Sequence, residues 1–182
     1  MTKFILHGGK TSTPCEENEN FYREIVKDLV NPTILLCYFS RERFDWPRLY
    51  RQDQDYFKDY TGRDDLNFIS AEKADFVGQI NQADVIYLRG GDTEKLKEVV
   101  SKIENFGELI KDKVVMGSSA GFYVLAKYYF SRERGIGLGL GILPIKAIAH
   151  YDPKKNYDLI KKHGEDLEIV AIREAEYVVR EQ

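Results

Sequence analysis

Short apolar runs alternate along this chain with longer polar stretches in which apolar residues recur at helical spacing. In the first polar stretch, Phe21, Ile25 and Leu29 follow one another at intervals of four residues, as they would on one face of a helix. The apolar runs are bounded by glycine, proline or polar residues, as buried strands are. They lie at residues 4–7, 34–39, 66–69, 84–88, 113–116, 147–149 and 169–172. The helical stretches lie at residues 18–30, 47–60, 71–82, 93–103 and 120–130.

Strands that are apolar on both faces and alternate with helices indicate βαβ units around a parallel sheet. We therefore predict an α/β fold with a mostly parallel sheet. No internal repeat, low-complexity tract or linker interrupts the 182 residues, a length typical of one domain. The sequence therefore predicts a single domain over residues 1–182.

Three glycine-containing segments directly follow predicted strands. They are Gly8-Gly9, Gly90-Gly91 and the run from Gly117 to Gly121. In open α/β sheets, ligands bind beyond the carboxyl ends of the strands. We therefore expect the three segments to meet at one edge of the sheet and to frame a site.

Composition and charge exclude several classes of function. The chain is 43% hydrophobic and 31% charged, as in a globular protein and unlike a disordered one. Its net charge of −3 lacks the basic excess of a general nucleic-acid binder. No stretch approaches the roughly 18–20 apolar residues of a membrane span, and no signal-peptide pattern precedes the first strand. We therefore expect a cytoplasmic protein that binds neither nucleic acid nor membranes.

The run Gly117-Ser118-Ser119-Ala120-Gly121 lies between a predicted strand and a predicted helix. Small residues on both sides of a central serine permit a sharp turn that exposes the serine hydroxyl above the sheet, as in the nucleophile turn of serine hydrolases. Two other interpretations remain open, a turn that only permits close packing and a phosphate-binding turn. The second lacks the Lys-Ser/Thr pair of a P-loop. Ser119 is the predicted nucleophile, and its neighbour Ser118, which lies off the centre of the pattern, is the alternative.

A serine hydroxyl needs a base, and histidine suits neutral pH. Of the three histidines, His163 lies at the end of a polar helix, where a solvated role is expected. His7 ends the first strand, where a structural role is expected. His150 follows a later apolar run, which makes it the candidate base. Glu174 and Asp152 both qualify by position as the carboxylate that orients the base, and position does not choose between them.

Backbone amides near the serine turn are candidates for an oxyanion hole. A glycine pair lets the backbone approach a ligand closely, so the amide of Ala120 and that of Gly91 or Gly90 are the candidates. We predict that the amides of Gly91 and Ala120 bind the oxyanion. Gly90 and Asp92, on either side of Gly91, are the predicted substrate-binding positions. An ordinary strand-to-helix turn is the alternative for the glycine pair. Arg89, Arg132 and Arg173 are candidates for binding a substrate carboxylate.

Taken together, these segments resemble the dipeptidase E (aspartyl dipeptidase) family of serine peptidases, which is related to cyanophycinase. The order and spacing agree from about residue 84 to residue 176. The segments that carry the resemblance are Tyr87 to Thr93, Gly117 to Gly121, Gly139 to Pro144 with His150-Tyr151 beyond it, and Ile172 to Glu174.

The resemblance implies a three-layer sandwich with a flavodoxin-like sheet, akin to class I glutamine amidotransferase domains. It also implies a Ser119–His150 pair with Glu174 as the carboxylate, and no metal or organic cofactor. The chain departs from the family pattern at Asp92, where asparagine is usual, and at Ala175, where glycine is frequent. It also lacks the aspartate that the dipeptidases carry after the nucleophile helix, and it ends at Gln182, where relatives continue through a further hairpin.

The predicted function is therefore a serine peptidase that hydrolyses short peptides through an acyl-enzyme. The alternatives are another serine hydrolase, such as an esterase or amidase, and a non-catalytic relative that binds a ligand. The predicted partner is a small peptide substrate, and a homodimer is compatible with the sequence. The alternating glycines of residues 135–141 are interpreted as a flexible loop beside the site, because they lack the spacing and context of a dinucleotide-binding turn.

Overall fold

A six-stranded sheet forms the centre of the computed structural model, which describes residues 1–182. The strands are β1 (Lys3–His7), β2 (Thr33–Cys37), β3 (Asn67–Ser70), β4 (Val85–Leu88), β5 (Val114–Ser118), β6 (Ala126–Ser131), β7 (Gly135–Leu138), β8 (Leu143–Ile148), β9 (Glu168–Ala171) and β10 (Tyr177–Glu181). The helices are α1 (Glu16–Val26), α2 (Trp46–Thr61), α3 (Phe76–Gln82), α4 (Thr93–Val100), α5 (Phe106–Leu109), α6 (Ala120–Leu125) and α7 (Asp158–Lys162), and a short 3-10 helix (Arg43–Asp45) precedes α2.

The central sheet has the strand order β10-β1-β5-β4-β2-β3, and helices lie on both sides of it. The neighbouring strands pair in parallel at β1–β5, β5–β4, β4–β2 and β2–β3, and only β10 is antiparallel to its neighbour, β1. Every residue of β4 and β5 is buried, which agrees with the continuous apolar runs that predicted these strands. The predicted α/β fold with a mostly parallel sheet is confirmed.

The register of the sheet brings the glycine turns together. His7 is level with Ser118 in the β1–β5 pair, and Leu88 is level with Gly117 in the β4–β5 pair. The segments that follow β1, β4 and β5 therefore leave the sheet at the same edge, as the sequence predicted. This edge carries the site described below.

One predicted helix is wrong in its second half. Residues 120–130 were predicted as one helix, but α6 ends at Leu125 and the chain continues as β6. Aromatic residues dominate this stretch and favour an extended chain. The carbonyl groups of Val124 and Ala126, at the helix end, accept hydrogen bonds from the amides of Leu140 and Gly141 at 2.8 and 3.1 Å. A distant segment therefore replaces the helical hydrogen bonds.

Strand β6 belongs to a second sheet of four strands in the order β7-β6-β8-β9. Strand β7 occupies part of the glycine-rich stretch interpreted above as a flexible loop, so that interpretation is wrong for residues 135–138. A Cβ atom on Gly137 would lie 2.2 Å from Cζ of Tyr129. The absence of a side chain there lets the tyrosine ring of β6 pack against β7.

A cluster of 45 buried hydrophobic residues includes side chains from both sheets, such as Ile86 of β4 and Ala147 of β8. Strand β10 was not predicted, and it covers the outer edge of β1 with its antiparallel pairing.

None of the helices combines the length and apolar character needed to cross a bilayer.

Candidate active site

Ser119 lies at the sharp turn between β5 and α6. Its φ of 48° and ψ of −100° are rare for a residue with a side chain and cost about 1–3 kcal/mol. The Ser119 amide donates to the carbonyl of His7 at 3.0 Å, and the Ser119 carbonyl accepts from the Tyr123 amide at 2.9 Å. A Cβ atom on Gly121 would lie 2.1 Å from the carbonyl oxygen of Leu88. The small residue therefore allows the start of α6 to approach β4.

The structure brings His150 to Ser119. The Oγ atom of Ser119 lies 2.9 Å from Nε2 of His150, within the distance that proton transfer requires. His150 follows β8 and has a positive φ of 51°. Its amide donates to the carbonyl of Gly8 at 2.8 Å, and this contact fixes the histidine above the end of β1.

The structure also separates the two candidate carboxylates. Oε1 of Glu174 lies 3.0 Å from Nδ1 of His150. Asp152 instead accepts a hydrogen bond from the amide of Lys154 at 3.0 Å, and its other carboxylate oxygen lies 3.8 Å from Arg132. The ring of His150 therefore lies between Ser119 and Glu174, and Asp152 takes no part in this arrangement.

Lys10 contacts the same glutamate and was missed by the sequence analysis. Its Nζ atom lies 2.7 Å from Oε2 of Glu174. The hydrogen bond from Lys10, supported by that from His150, lowers the pKa of Glu174 below its ordinary value although partial burial opposes this shift. Glu174 is therefore an anion at neutral pH. The available signal was the position of Lys10 directly after the Gly8-Gly9 turn.

The glycine pair after β4 lies beside the serine. A Cβ atom on Gly90 would lie 3.3 Å from Cβ of Ser119. The amides of Gly90 and Gly91 donate no hydrogen bond within the protein, whereas the next amide, of Asp92, donates to the carbonyl of Ser40 at 2.9 Å. Ala120 is buried as the first residue of α6. Unpaired amides next to a hydroxyl are suited to binding an oxyanion.

Asp92 has a structural role in addition to its position on the cleft. Its Oδ1 atom accepts hydrogen bonds from the amides of Glu94 and Lys95 at 2.9 and 3.2 Å, so it caps the N-terminus of α4. Its Oδ2 atom pairs with Arg134 at 2.9 Å. Both carboxylate oxygens are therefore engaged within the protein.

His7 has the structural role that its position suggested. It is fully buried, its Nε2 atom lies 2.9 Å from Oδ1 of Asn18, and its Nδ1 atom accepts from the amide of Gly9 at 2.9 Å. Burial is the main reason that the pKa of His7 falls to about 4. His7 is therefore neutral and fixes the turn after β1.

The serine, histidine and glutamate border a cleft of about 860 Å³. Of the three arginines proposed for a substrate carboxylate, Arg89 is not available, because its guanidinium is buried and paired with Asp53. Arg173 lies outside the cleft, whereas Arg132 lines it and donates to the carbonyl of His150 at 2.9 Å. Arg41 also lines the cleft, where its Nε atom donates to the Gly90 carbonyl at 2.6 Å, and the sequence analysis did not identify it.

Comparisons with known proteins identify the family and the fold of this chain. The sequence model of Peptidase family S51 matches residues 13–182. No curated protein matches the chain at a significant level. A crystal structure of a peptidase from an acI-B1 Actinobacterium superposes with a TM-score of 0.70 at 20% identity, over 99% of this chain and 83% of the other. A structure described as a peptidase E protein from Listeria monocytogenes EGD-e gives a TM-score of 0.63 at 14% identity, over 100% of this chain and 99% of the other.

At these identities the two solved structures establish only that the fold is shared. The family model establishes that the chain is a member of the family. The match spans nearly the whole chain, including all the segments that carried the resemblance to dipeptidase E. It therefore confirms that resemblance. The chain belongs to peptidase family S51 and is a serine peptidase of the dipeptidase E type.

Proposed function

We propose that this peptidase hydrolyses short peptides through an acyl-enzyme, with Ser119 as nucleophile, His150 as general base and acid, and Glu174 as the carboxylate that orients His150. One observation carries the proposal. A continuous chain of contacts runs from Ser119 Oγ to His150 Nε2 at 2.9 Å and from His150 Nδ1 to Glu174 Oε1 at 3.0 Å.

In the first half of the reaction, Nε2 of His150 accepts the proton of the Ser119 hydroxyl as Oγ attacks the peptide carbonyl carbon. The N–H group at Nδ1 of His150 donates a hydrogen bond to Glu174, and the proton stays on Nδ1. Nε2 is therefore unprotonated and can act as a base. The negative charge of Glu174 then stabilises the imidazolium that forms. The amides of Gly91 and Ala120 bind the oxyanion in this scheme.

His150 next donates its proton to the leaving amine, and the carbon–nitrogen bond breaks. The acyl group stays on Ser119 while the amine product departs. A water molecule then gives a proton to His150 as it attacks the ester carbon. The bond between the acyl carbon and Ser119 Oγ breaks, and His150 returns the proton to Oγ, so the carboxylic acid is released and the Ser119 hydroxyl is restored. All proton transfers use groups of this chain and water.

The cleft supports a short peptide as substrate, because its size suits a small ligand. Gly90 permits close approach of the peptide to Ser119. Arg132 is the remaining candidate for a substrate carboxylate among the three arginines. The contribution of Asp92 to substrate binding, the cytoplasmic location and the homodimer stay predictions.

The proposal is tested by replacing Ser119 with alanine and, as a matched control, the neighbouring Ser118. Ser118 is buried as the last residue of β5. We expect Ser119→Ala to lose turnover of a dipeptide panel and covalent labelling by a fluorophosphonate, while Ser118→Ala retains both. Circular dichroism checks that both variants fold. Labelling of Ser119→Ala at the wild-type rate would rule out Ser119 as the nucleophile.

The leaving group is tested by assaying the dipeptide panel beside simple esters. Peptide hydrolysis requires protonation of an amine by His150, whereas activated esters leave without it. We therefore expect His150→Gln to reduce peptide turnover more than turnover of an activated ester. Turnover of esters alone by the wild-type protein would exclude a peptide substrate.

A further inference from the structure

Glu174 contacts two nitrogen groups, the imidazole of His150 and the ammonium group of Lys10. Its Oε1 atom faces His150 Nδ1 at 3.0 Å, and its Oε2 atom faces Lys10 Nζ at 2.7 Å. Lys10 also borders the cleft. The two oxygens of one carboxylate are thus divided between an imidazole and an ammonium group, and this division fixes the rotation of the carboxylate.

The backbone holds Lys10 in place for this contact. Lys10 has a positive φ of 60°, and its carbonyl accepts hydrogen bonds from the Thr13 amide at 3.1 Å and from the Asn18 side chain at 2.9 Å. The preceding carbonyl, of Gly9, accepts from the Ala175 amide at 2.9 Å. The turn that carries Lys10 is therefore tied directly to the residue after Glu174.

We propose that Lys10 is a positioning residue of the peptidase, which holds Glu174 as a correctly rotated anion and acts through it on His150. This inference rests on the proposed roles of Ser119, His150 and Glu174. Lys10 touches none of the reacting atoms in it. Its contribution is the orientation of the carboxylate and a positive charge beside the His150–Glu174 pair.

The positive charge has a defined effect on pH dependence. A nearby cation opposes the addition of a proton to the His150–Glu174 pair. Removing the cation makes protonation easier, so the acid limb of the activity profile moves to higher pH. Because the charge acts from beyond the carboxylate, at a dielectric constant near that of water, the expected shift is about half a pH unit. The other charged groups near the pair are Arg132, Asp152 and Arg173. His7 is also nearby, but it is buried and neutral.

The test compares Lys10→Met with Lys10→Arg and with the control Lys127→Met. Lys127 pairs with Glu165 at 2.5 Å, far along the chain and outside the cleft, and its side-chain exposure of 41% against 52% for Glu165 is similar to the 60% and 43% of Lys10 and Glu174. Ion pairs this exposed contribute little to stability. We therefore expect all three variants to fold and melt as the wild type does.

The rate of fluorophosphonate labelling and kcat/KM for a dipeptide are both measured against pH. For Lys10→Met we expect kcat/KM to fall by about three- to tenfold at neutral pH. We also expect the acid limb of both profiles to move up by about half a pH unit. Lys10→Arg should restore the wild-type profile, and Lys127→Met should not alter it.

The outcomes separate this inference from the function on which it rests. Normal labelling of the wild type, with Lys10→Met following the wild-type pH profile, overturns the role of Lys10 alone. A shift that Lys127→Met reproduces also overturns it, because the effect would then be one of overall charge. Failure of the fluorophosphonate to label Ser119 in the folded wild type overturns the proposed function and this inference together.

Discussion

Gly9 lies against the imidazole ring of His150, and a single methyl group added there tests the geometry of the site. A Cβ atom on Gly9 would lie 2.2 Å from Cε1, 2.7 Å from Nε2 and 2.9 Å from Nδ1 of His150. Ordinary contacts to a Cβ atom begin near 3.4 Å. In Gly9→Ala the ring must therefore move by about 1 Å, away from a serine oxygen that it contacts at 2.9 Å.

The expected loss of activity follows from that displacement. A misplacement of about 1 Å costs about 100-fold in rate, and complete loss of a general base costs about 10²- to 10⁴-fold. We therefore expect Gly9→Ala to lower kcat/KM and the rate of fluorophosphonate labelling by at least about 100-fold. The positive φ of 111° at Gly9 adds about 1–3 kcal/mol of backbone strain, so the variant is also less stable.

Gly62 provides the matched control for backbone strain. It has a positive φ of 64°, ends α2 and has no atom within 4 Å of an added Cβ. Gly62→Ala therefore introduces strain of about 1 kcal/mol without touching the site. We expect it to lower the melting temperature by about 2–4 °C and to retain the wild-type labelling rate. A folded Gly9→Ala protein that is labelled as fast as Gly62→Ala would refute the placement of His150 against the Gly9 turn.

Three further predictions address the carboxylate, a helix cap and acid stability. Glu174→Gln should lower kcat/KM by about 10²- to 10⁴-fold while Asp152→Asn stays within about threefold of the wild type, and equal losses in the two variants would contradict the assignment of the carboxylate. Asp92→Ala should cost about 1 kcal/mol of unfolding free energy because it removes the cap of α4, whereas Asp92→Asn, which retains a capping oxygen, should cost less; urea denaturation compares them. Burial lowers the pKa of His7 from 6.5 to about 4. Between these two pH values, His7 is therefore protonated in the unfolded chain and neutral in the folded protein. The free energy of unfolding should therefore fall by about 3 kcal/mol as the pH falls through that window, and His7→Gln should lose this part of the pH dependence.

The central sheet was predictable because its strands are local patterns. Residues 84–88 and 113–116 are continuous apolar runs between polar or glycine residues, and both correspond to buried strands of the sheet. The carboxyl ends of parallel strands share one edge, so the positions of the glycine turns followed from the strands alone. The serine turn was predictable for the same reason, since it needs only its own five residues and a strand before it.

The second sheet was harder to predict because distant contacts decide it. Residues 120–130 fit a helix when taken alone, but the amides of Leu140 and Gly141 bond to carbonyl groups at the end of α6. Hydrophobic periodicity does not contain that information. The choice of Glu174 over Asp152 has the same origin, because it depends on where β9 places the segment that follows it. Lys10 was missed because its position after the glycine turn indicates only that it lies near the site, and its partner Glu174 is distant in the sequence.

The end of β1 and the turn that follows it position the three side chains of the site, although they contribute none of them. The carbonyl groups of three consecutive residues, His7, Gly8 and Gly9, accept hydrogen bonds from the amides of Ser119, His150 and Ala175 at 3.0, 2.8 and 2.9 Å.

All three donors have positive φ angles, of 48°, 51° and 64°. Such conformations are unfavourable for residues with side chains and persist only where surrounding contacts enforce them. The last residue of β1 and the turn that follows it thus offer three successive acceptors that hold three separate segments in strained conformations. The spacing of their carbonyl groups sets the distances between the hydroxyl, the imidazole and the carboxylate. The buried His7 ring and the contact between Gly9 and His150 belong to the same segment. This segment has no reactive side chain, yet it should be among the positions most sensitive to substitution.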